Sequence, residues 1–183
     1  MGFDPDKQHR HSIRLQGYDY SQAGAYFVTI VTQHRACLFG DVVDRVMRLN
    51  AAGKIVRDEW LRTSQIRPNV ELDAFFVMPN HIHGIIILNS DIDALRDAST
   101  DHVPTLERFG KPTSNTIPTI VRFFKSTTTK QINEFTDNPG NKIWQRNYFE
   151  HIIRDQNTLE NIRQYILNNP INWAEDSENP LFK

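Results

Sequence analysis

The chain lacks the features that mark secreted and membrane proteins. Its 183 residues include a single cysteine, Cys37, so no intramolecular disulfide can form and a reducing compartment is expected. No apolar run approaches the roughly 20 residues needed to cross a bilayer. Residues 4–14 are too polar to contain the hydrophobic part of a signal peptide. We therefore expect a cytoplasmic protein with no membrane partner.

A large excess of charge of one sign is also missing. The formal net charge is −1, which by itself argues against a dedicated nucleic-acid binder. The charges are unevenly distributed. Residues 1–57 and 117–154 contain more basic than acidic side chains, whereas 91–107 and 175–178 are mainly acidic. Such a chain can present a cationic face to phosphates. Solvated charges scattered over a soluble domain fit the pattern equally well.

The length fits one domain spanning residues 1–183. Runs of β-branched and aromatic residues predict strands at 26–32, 74–77 and 84–88. Helical spacing of apolar residues predicts helices at 46–61, 117–135 and 157–169. Residues 143–153 are predicted to be part strand and part connection. This order predicts an α+β fold in which helices pack on an antiparallel β-sheet.

Three segments fall outside these elements. Residues 1–19 form a polar N-terminal arm, and residues 171–183 form an acidic C-terminal tail with Glu175, Asp176 and Glu178. Residues 89–116 show no sustained periodicity and are interrupted by proline and glycine, which predicts a long mobile loop. No role for this loop follows from its sequence.

A pair of histidines, His81 and His83, carries the first chemical signal. The pair lies between a Met-Pro-Asn turn at 78–80 and the apolar run at 84–88, so it belongs to the predicted hairpin. Side chains alternate along a strand with a rise of about 3.3 Å per residue, which places the two imidazoles on one face about 6.6 Å apart. Two imidazoles in this arrangement can converge on one cation.

The last predicted helix carries the second chemical signal. At 100° per residue, Tyr165 and Asn169 lie about 40° apart and border the apolar stripe of the helix. If this helix packs near the hairpin, a phenol and an amide oxygen face the histidines. Two imidazoles and one amide oxygen suit Mn²⁺ or Mg²⁺ with open positions for a substrate. Asn169 precedes Pro170, which disfavours helical backbone, so Asn168 or a water remains an alternative third ligand.

Several longer segments occur in an order that resembles a known family. They are the Met-Pro-Asn-His-Ile-His motif at 78–83, Gly-Tyr-Asp-Tyr at 17–20, residues 24–29, 118–126 and 144–154, and the segment around Tyr165 at 164–170. Together these segments resemble the HUH endonucleases, and among them the single-tyrosine bacterial transposases known as REP-associated tyrosine transposases. The resemblance covers most of the chain.

The resemblance implies a ferredoxin-like (RRM-like) fold and a metal-dependent enzyme that nicks and joins single-stranded DNA. His81 and His83 are then metal ligands, Asn169 occupies the position of the third ligand, and Tyr165 is the nucleophile that forms a 5′-phosphotyrosine link. The partner is single-stranded or hairpin DNA in a bacterial cytoplasm, and the protein is a monomer or a homodimer. The residues expected to bind DNA are Arg14, Arg122, Lys125, Trp144, Arg146, Tyr148, His151 and Arg154.

Other interpretations of these residues stay open. Tyr148 is the competing nucleophile, and His151 is a further imidazole that could reach the metal. A module that binds DNA or RNA hairpins without cleaving them would need no Tyr165. A hydrolase that uses the histidine pair and a metal-bound water on small phosphoesters would not need it either. A covalent enzyme–DNA adduct distinguishes the transposase from both.

Overall fold

A computed structural model describes residues 22–90 and 115–182. The predicted N-terminal arm at 1–19, which includes Arg14, lies outside the described residues. Residues 91–114 of the predicted loop at 89–116 also lie outside them. The strands are β1 (Gly24–Val31), β2 (Gly40–Val43), β3 (Val46–Leu49), β4 (Val70–Val77), β5 (His81–Leu88) and β6 (Phe149–Ile153). The helices are α1 (Ala51–Gln65), α2 (Ile117–Phe135) and α3 (Gln156–Asn168).

Four of the strands form the main sheet, in the order β4-β5-β1-β6, and every neighbouring pair is antiparallel. Without the small β2–β3 hairpin, the chain order is strand, helix, two strands, helix, strand and helix. This order and the strand arrangement are those of a ferredoxin-like sheet with helices packed on it. The predicted α+β fold class is therefore confirmed.

The sheet has a different hydrophobic cluster on each face because side chains alternate along β1. Tyr26, Val28 and Ile30 belong to the larger cluster, together with residues of α1 and α2. Phe27 points the other way, into a smaller cluster with Ile166 of α3. Of the described helices, α1 and α2 pack on the first face and α3 packs on the second. The second face also carries the histidine pair.

A glycine lets α1 pack tightly against the histidine strand. Gly84 follows His83 directly, and a Cβ at this position would collide with the ring of Trp60 in α1. The Trp60 side chain is almost fully buried and contacts Phe124 of α2 edge to face, at 5.4 Å between ring centroids. An alanine at position 84 would therefore force the α1 layer away from β5.

The predicted helix at 46–61 is wrong in its first part, because residues 46–49 form strand β3 and the helix begins at Ala51. Asp44 and Arg45 adopt positive φ angles of 53° and 63°, which make the tight turn of the β2–β3 hairpin. Asn50 then starts α1 by accepting a hydrogen bond from the amide of Gly53 at 2.9 Å. The helical interpretation of residues 46–49 overlooked this turn.

The other predicted elements are close to those observed. The bounds 117–135 of α2 are those predicted, and Thr116 caps its first turn by accepting from the amide of Thr119. β6 occupies the end of the predicted 143–153 segment, so that segment is part strand and part connection as expected. None of the described helices is long and apolar enough to cross a bilayer.

Candidate active site

The two histidines lie side by side on one face of strand β5. His81 is fully buried, His83 is 3% exposed, and their ring centroids are 4.4 Å apart. They share this face because one residue separates them on a strand. The sheet thus brings two imidazoles together in a site from which most water is excluded.

Hydrogen bonds to Nδ1 orient both rings. Nδ1 of His81 lies 2.9 Å from Oδ1 of Asn80, which can only accept, so His81 donates from Nδ1 and Nε2 carries the lone pair. Nδ1 of His83 lies 2.8 Å from the hydroxyl of Thr29 on β1. Partners of this kind at one ring nitrogen are what fix the tautomer and direction of metal-binding histidines. Both rings are therefore set to present Nε2 to a common point.

The surroundings favour the neutral form of both imidazoles. Burial, followed by the neighbouring His81, holds the pKa of His83 well below its usual value. Burial also lowers the pKa of His81, although the carboxylates of Asp176 and Glu178 act in the opposite direction. Neutral imidazole is the form that binds metals. Near neutral pH the pair is available as a ligand set.

Helix α3 brings Tyr165 to the histidine pair. Ile166 packs against Phe27 and Ile85 of the sheet, and this contact turns the neighbouring Tyr165 toward the edge of the helix interface. The Tyr165 hydroxyl lies 3.3 Å from Nε2 of His83, and its ring meets Phe27 edge to face at 6.1 Å. Tyr165 is 49% exposed, so its hydroxyl is within reach of a large substrate.

The phenol of Tyr165 is protonated in this environment. Partial burial raises the pKa of Tyr165 above its usual value, and the carboxylates of Asp176 and Glu178 raise it further. A protonated phenol is a weak nucleophile. A positive charge near the hydroxyl would lower this pKa and favour the phenolate.

Asn169 follows Tyr165 by one helical turn, as the sequence predicts. It keeps helical angles, φ −57° and ψ −42°, so the expected distortion before Pro170 is wrong. Its side chain is 3% exposed, and its amide nitrogen donates to Oδ2 of Asp176 at 3.0 Å. Its amide oxygen is buried without a hydrogen-bond partner.

The sequence interpretation missed Asp176, which lies in the predicted acidic tail. The chain turns after Pro170 and forms a short 3₁₀ helix, Trp173–Glu175, whose Trp173 ring lies 6.0 Å from that of His81. Asp176 comes next, and its potential ligand atom and those of His81 and His83 all lie within 4.8 Å of one another. No pattern in the sequence connects residue 176 with residue 81, because the link depends on how the chain turns after α3.

The polar atoms at this point fit a divalent cation. Nε2 of His81 and the amide oxygen of Asn169 are both buried and have no hydrogen-bond partner. Burying such a group without a partner costs about 1–3 kcal/mol, and a cation bound to Nε2 of His81 would remove this cost for the imidazole. Imidazole nitrogens combined with oxygen donors suit Mn²⁺ and similar ions.

Seven of the eight residues expected to bind DNA lie in the described part of the chain. Arg122, Arg146, His151 and Arg154 are exposed, and Arg122 lies on α2 while the other three surround or belong to β6. Tyr148 is half-buried, with its ring 5.4 Å from the ammonium group of Lys125. Arg14 lies outside the described residues. Arg146, His151 and Arg154 thus lie near the β6 edge of the sheet.

Trp144 and Lys125 point inward instead. Trp144 is 7% exposed, packs against Phe39 and Phe124, and donates from its indole to Thr128 at 2.8 Å. The ammonium group of Lys125 donates to three backbone carbonyls, those of Gln145, Arg146 and Asn147. These two side chains hold the loop before β6 from beneath, and a direct contact with DNA would require them to leave these partners.

Comparisons with known proteins concern the family and the fold of this chain. Residues 95–169, which include Tyr165, match the family model described as "Transposase IS200 like". The chain is 40% identical over 171 residues to an uncharacterized protein of Haemophilus influenzae, covering 92% of both chains. It is 30% identical over 155 residues to a REP-associated tyrosine transposase of the same organism, covering 84% of this chain and 73% of that one.

The fold also matches a solved structure, that of a REP-associated tyrosine transposase bound to a REP hairpin. The TM-score is 0.58 at 20% sequence identity, over 88% of this chain and 74% of that one. This likeness shows the fold, whereas the sequence match to the relative from Haemophilus influenzae shows the family. The resemblance seen in the sequence motifs is confirmed, and the chain belongs to the family of REP-associated tyrosine transposases.

Proposed function

We propose that this protein is a metal-dependent enzyme that nicks and rejoins single-stranded DNA next to a hairpin, with Tyr165 as the nucleophile. The observation that carries the proposal is the position of the half-exposed Tyr165 hydroxyl, 3.3 Å from Nε2 of His83 in the same chain. Membership in a transposase family supports it. The solved relative that was bound to a REP hairpin supports the choice of substrate.

The reaction is a transesterification at phosphorus. The Tyr165 oxygen forms a bond to the scissile phosphorus, and the bond from phosphorus to the 3′ oxygen breaks. The phenol proton leaves to solvent through the exposed side of the ring, and the departing oxygen gains a proton to become a 3′-hydroxyl. The product is a 5′-phosphotyrosine link. A later attack by a 3′-hydroxyl on this link joins the strands without a nucleotide cofactor.

His81 and His83 would hold the cation through Nε2, and Mn²⁺ and Mg²⁺ are the ions expected. The bound ion supplies Lewis-acid charge that polarises the phosphate and favours the phenolate. The protein supplies the rest. Asn80 keeps His81 in the ligating tautomer, Thr29 orients the ring of His83, and α3 keeps the Tyr165 hydroxyl beside them.

The exposed arginines and His151 are suited to contacting the DNA backbone. Arg146, His151 and Arg154 surround or belong to β6, and Arg122 lies on α2. Phosphate contacts of this kind position the strand without reading its sequence. Lys125, Trp144 and Tyr148 would support this surface by fixing the loop that carries Arg146.

A gel assay for a covalent adduct tests the proposal. Labelled single-stranded hairpin DNA with its flanking sequence is incubated with Mn²⁺ or Mg²⁺ and separated on a denaturing gel. We expect a metal-dependent protein–DNA adduct that is lost in Tyr165→Phe and His81→Ala and retained in Tyr148→Phe, the matched control. Cleavage without an adduct would indicate a hydrolase that uses water. Tight binding of REP-type hairpins without cleavage would indicate a binding module.

A further inference from the structure

We propose that Asp176 is the third protein ligand of the cation held by His81 and His83. The carboxylate comes from the turn after α3, beyond the helix that carries Tyr165. The inference rests on the proposed function, since it takes the ion to be the one used in DNA nicking. It assigns to Asn169 a different role from the one expected from the sequence.

The distances favour ligation over an ordinary ion pair. Oδ2 of Asp176 lies 3.9 Å from Nε2 of His81, too far for a hydrogen bond. Ligands sit about 2.0–2.2 Å from an ion of this size, so two ligand atoms on one ion are separated by at most about 4.4 Å. The gap between carboxylate and imidazole falls within that limit. A bound cation would fill it.

The unpartnered nitrogen of His81 is an independent sign of a ligand. His81 is fully buried, and its Nε2 has no hydrogen-bond partner even though a carboxylate oxygen lies nearby. The Asp176 side chain is itself only 6% exposed. A buried carboxylate and a buried imidazole that face each other without a hydrogen bond are an arrangement that a shared cation stabilises.

The carboxylate is oriented by the protein itself. The Asn169 amide donates to Oδ2 at 3.0 Å, and the backbone amide of Glu178 donates to Oδ1 at 2.7 Å. The turn is anchored in its place, because the Asn80 amide donates to the carbonyl of Glu178 at 2.6 Å. Asn80 therefore connects the orientation of His81 with the position of the turn. Asn169 acts here as a positioning residue for Asp176.

This ligand set has chemical consequences. Two neutral imidazoles and one carboxylate reduce the charge of a divalent ion to about +1 and occupy three positions. The remaining positions stay open for phosphate oxygens of the DNA. A carboxylate binds a divalent ion more tightly than a neutral amide oxygen does, so the site would load with metal before DNA arrives.

Binding of Mn²⁺ to the full-length protein without DNA tests the inference. The free ion is measured by electron paramagnetic resonance during a titration. We expect Asp176→Asn, which keeps the shape but removes the charge, to raise the Kd by at least about 10-fold. The control is Glu178→Gln, which removes a nearby charge that is paired with Arg35. It should change the Kd by less than about 3-fold.

Two results would overturn the assignment. One is an unchanged Kd in Asp176→Asn, and the other is an equal loss in Glu178→Gln, which would indicate a general effect of charge. A second measurement needs no variant: wild-type protein labelled with ¹³C at aspartate carboxyls should show one coupling to bound Mn²⁺ by electron–nuclear double resonance. The absence of this coupling would contradict ligation by Asp176.

The experiment separates this inference from the proposed function. If Mn²⁺ binds through Asp176 but wild-type protein never forms an adduct with DNA, the ligand assignment stands and the nickase proposal fails. If adducts form while Asp176→Asn binds Mn²⁺ like the wild type, the nickase proposal stands and the ligand assignment fails.

Discussion

The hydroxyl of Tyr165 lies 3.3 Å from Nε2 of His83, and both residues belong to the same chain. The two residues are 82 positions apart in the sequence. They come together because α3 packs on the face of the sheet that carries the histidines. The proposed nucleophile and the proposed metal ligands therefore meet within one chain.

A mixing experiment checks this arrangement. Tyr165→Phe and His83→Ala should each form no adduct, and an equal mixture of the two should also form none, because neither chain has a complete site. The adduct is quantified on a denaturing gel at high protein concentration. An adduct in the mixture well above the sum of the two separate proteins would mean that the site is assembled between chains.

Phe149 is expected to stack on a base of the DNA near the site. It pairs with Thr29 on β1, which pairs with His83 on β5, so the three lie in one row on the same face. At about 4.8 Å per strand, Phe149 is about 10 Å from His83. Its ring is 46% exposed and meets Phe27 edge to face.

Phe149→Ala should weaken binding of single-stranded DNA by about 1–3 kcal/mol, the usual contribution of one stacked base. Fluorescence anisotropy of a labelled oligonucleotide measures the change. Phe135→Ala provides the control, since Phe135 is 62% exposed at the far end of α2. Equal affinities of the two variants would exclude a stacking role for Phe149.

The ion pair between Arg163 and Asp73 is expected to keep Tyr165 in position. Arg163 on α3 donates twice to the Asp73 carboxylate on β4, at 2.9 and 2.6 Å. The pair is partly buried, with side chains 31% and 16% exposed. It joins α3, which carries Tyr165, to β4 at the edge of the sheet.

Arg163→Ala should slow adduct formation by roughly 10-fold, since small displacements of reacting groups are costly, while Mn²⁺ affinity stays within about 2-fold. The exchange of both charges, Asp73→Arg with Arg163→Asp, should restore part of the rate. Arg57→Ala removes an exposed pair with Asp58 on α1 and should have no effect. If Arg163→Ala lost Mn²⁺ affinity to the same extent as it lost the rate of adduct formation, general unfolding would be the cause instead.

Lys125 predicts a specific dependence of stability on pH. Burial lowers the pKa of Lys125 to about 8 from an ordinary value of 10.5. The unfolded chain therefore binds the proton more tightly, and stability rises with pH between about 8 and 10.5. The difference between these two pKa values corresponds to about 3 kcal/mol. The gain in stability is at most this value, because the three carbonyl acceptors favour the charged form.

The contribution of Lys125 is measured by comparison with Lys125→Met. The free energy of unfolding of the wild type minus that of Lys125→Met should rise as the pH rises from 8 to 10.5. It should stay constant below pH 7. Denaturant unfolding at several pH values measures it. A difference that does not change over this interval would mean that the carbonyl acceptors fully offset the effect of burial.

The parts of the fold predicted from the sequence are those governed by local patterns. Helix α2 has the predicted bounds because its apolar residues keep a helical period along the whole segment. The histidine pair and Tyr165 could be placed on their faces from the periods of strand and helix alone. The family motifs supported these assignments.

The parts not predicted depend on the tertiary structure. Residues 46–49 carry both a strand and a helix pattern, and the tight turn at Asp44 and Arg45 favours the strand. Asp176 reaches the histidines only because the chain turns after α3, where Asn80 binds the carbonyl of Glu178. Trp144 and Lys125 were expected to bind DNA, but Trp144 bonds to Thr128 of α2 and Lys125 bonds to the carbonyl of Gln145 in the loop before β6.

Identification of the residue that is linked to DNA tests the central claim most directly. The protein is incubated with Mn²⁺ and hairpin-containing single-stranded DNA, digested with nuclease and protease, and examined by mass spectrometry. The account predicts a 5′-phosphonucleotide on the peptide that contains Tyr165. A link on Tyr148, or complete cleavage with no linked peptide, would contradict it.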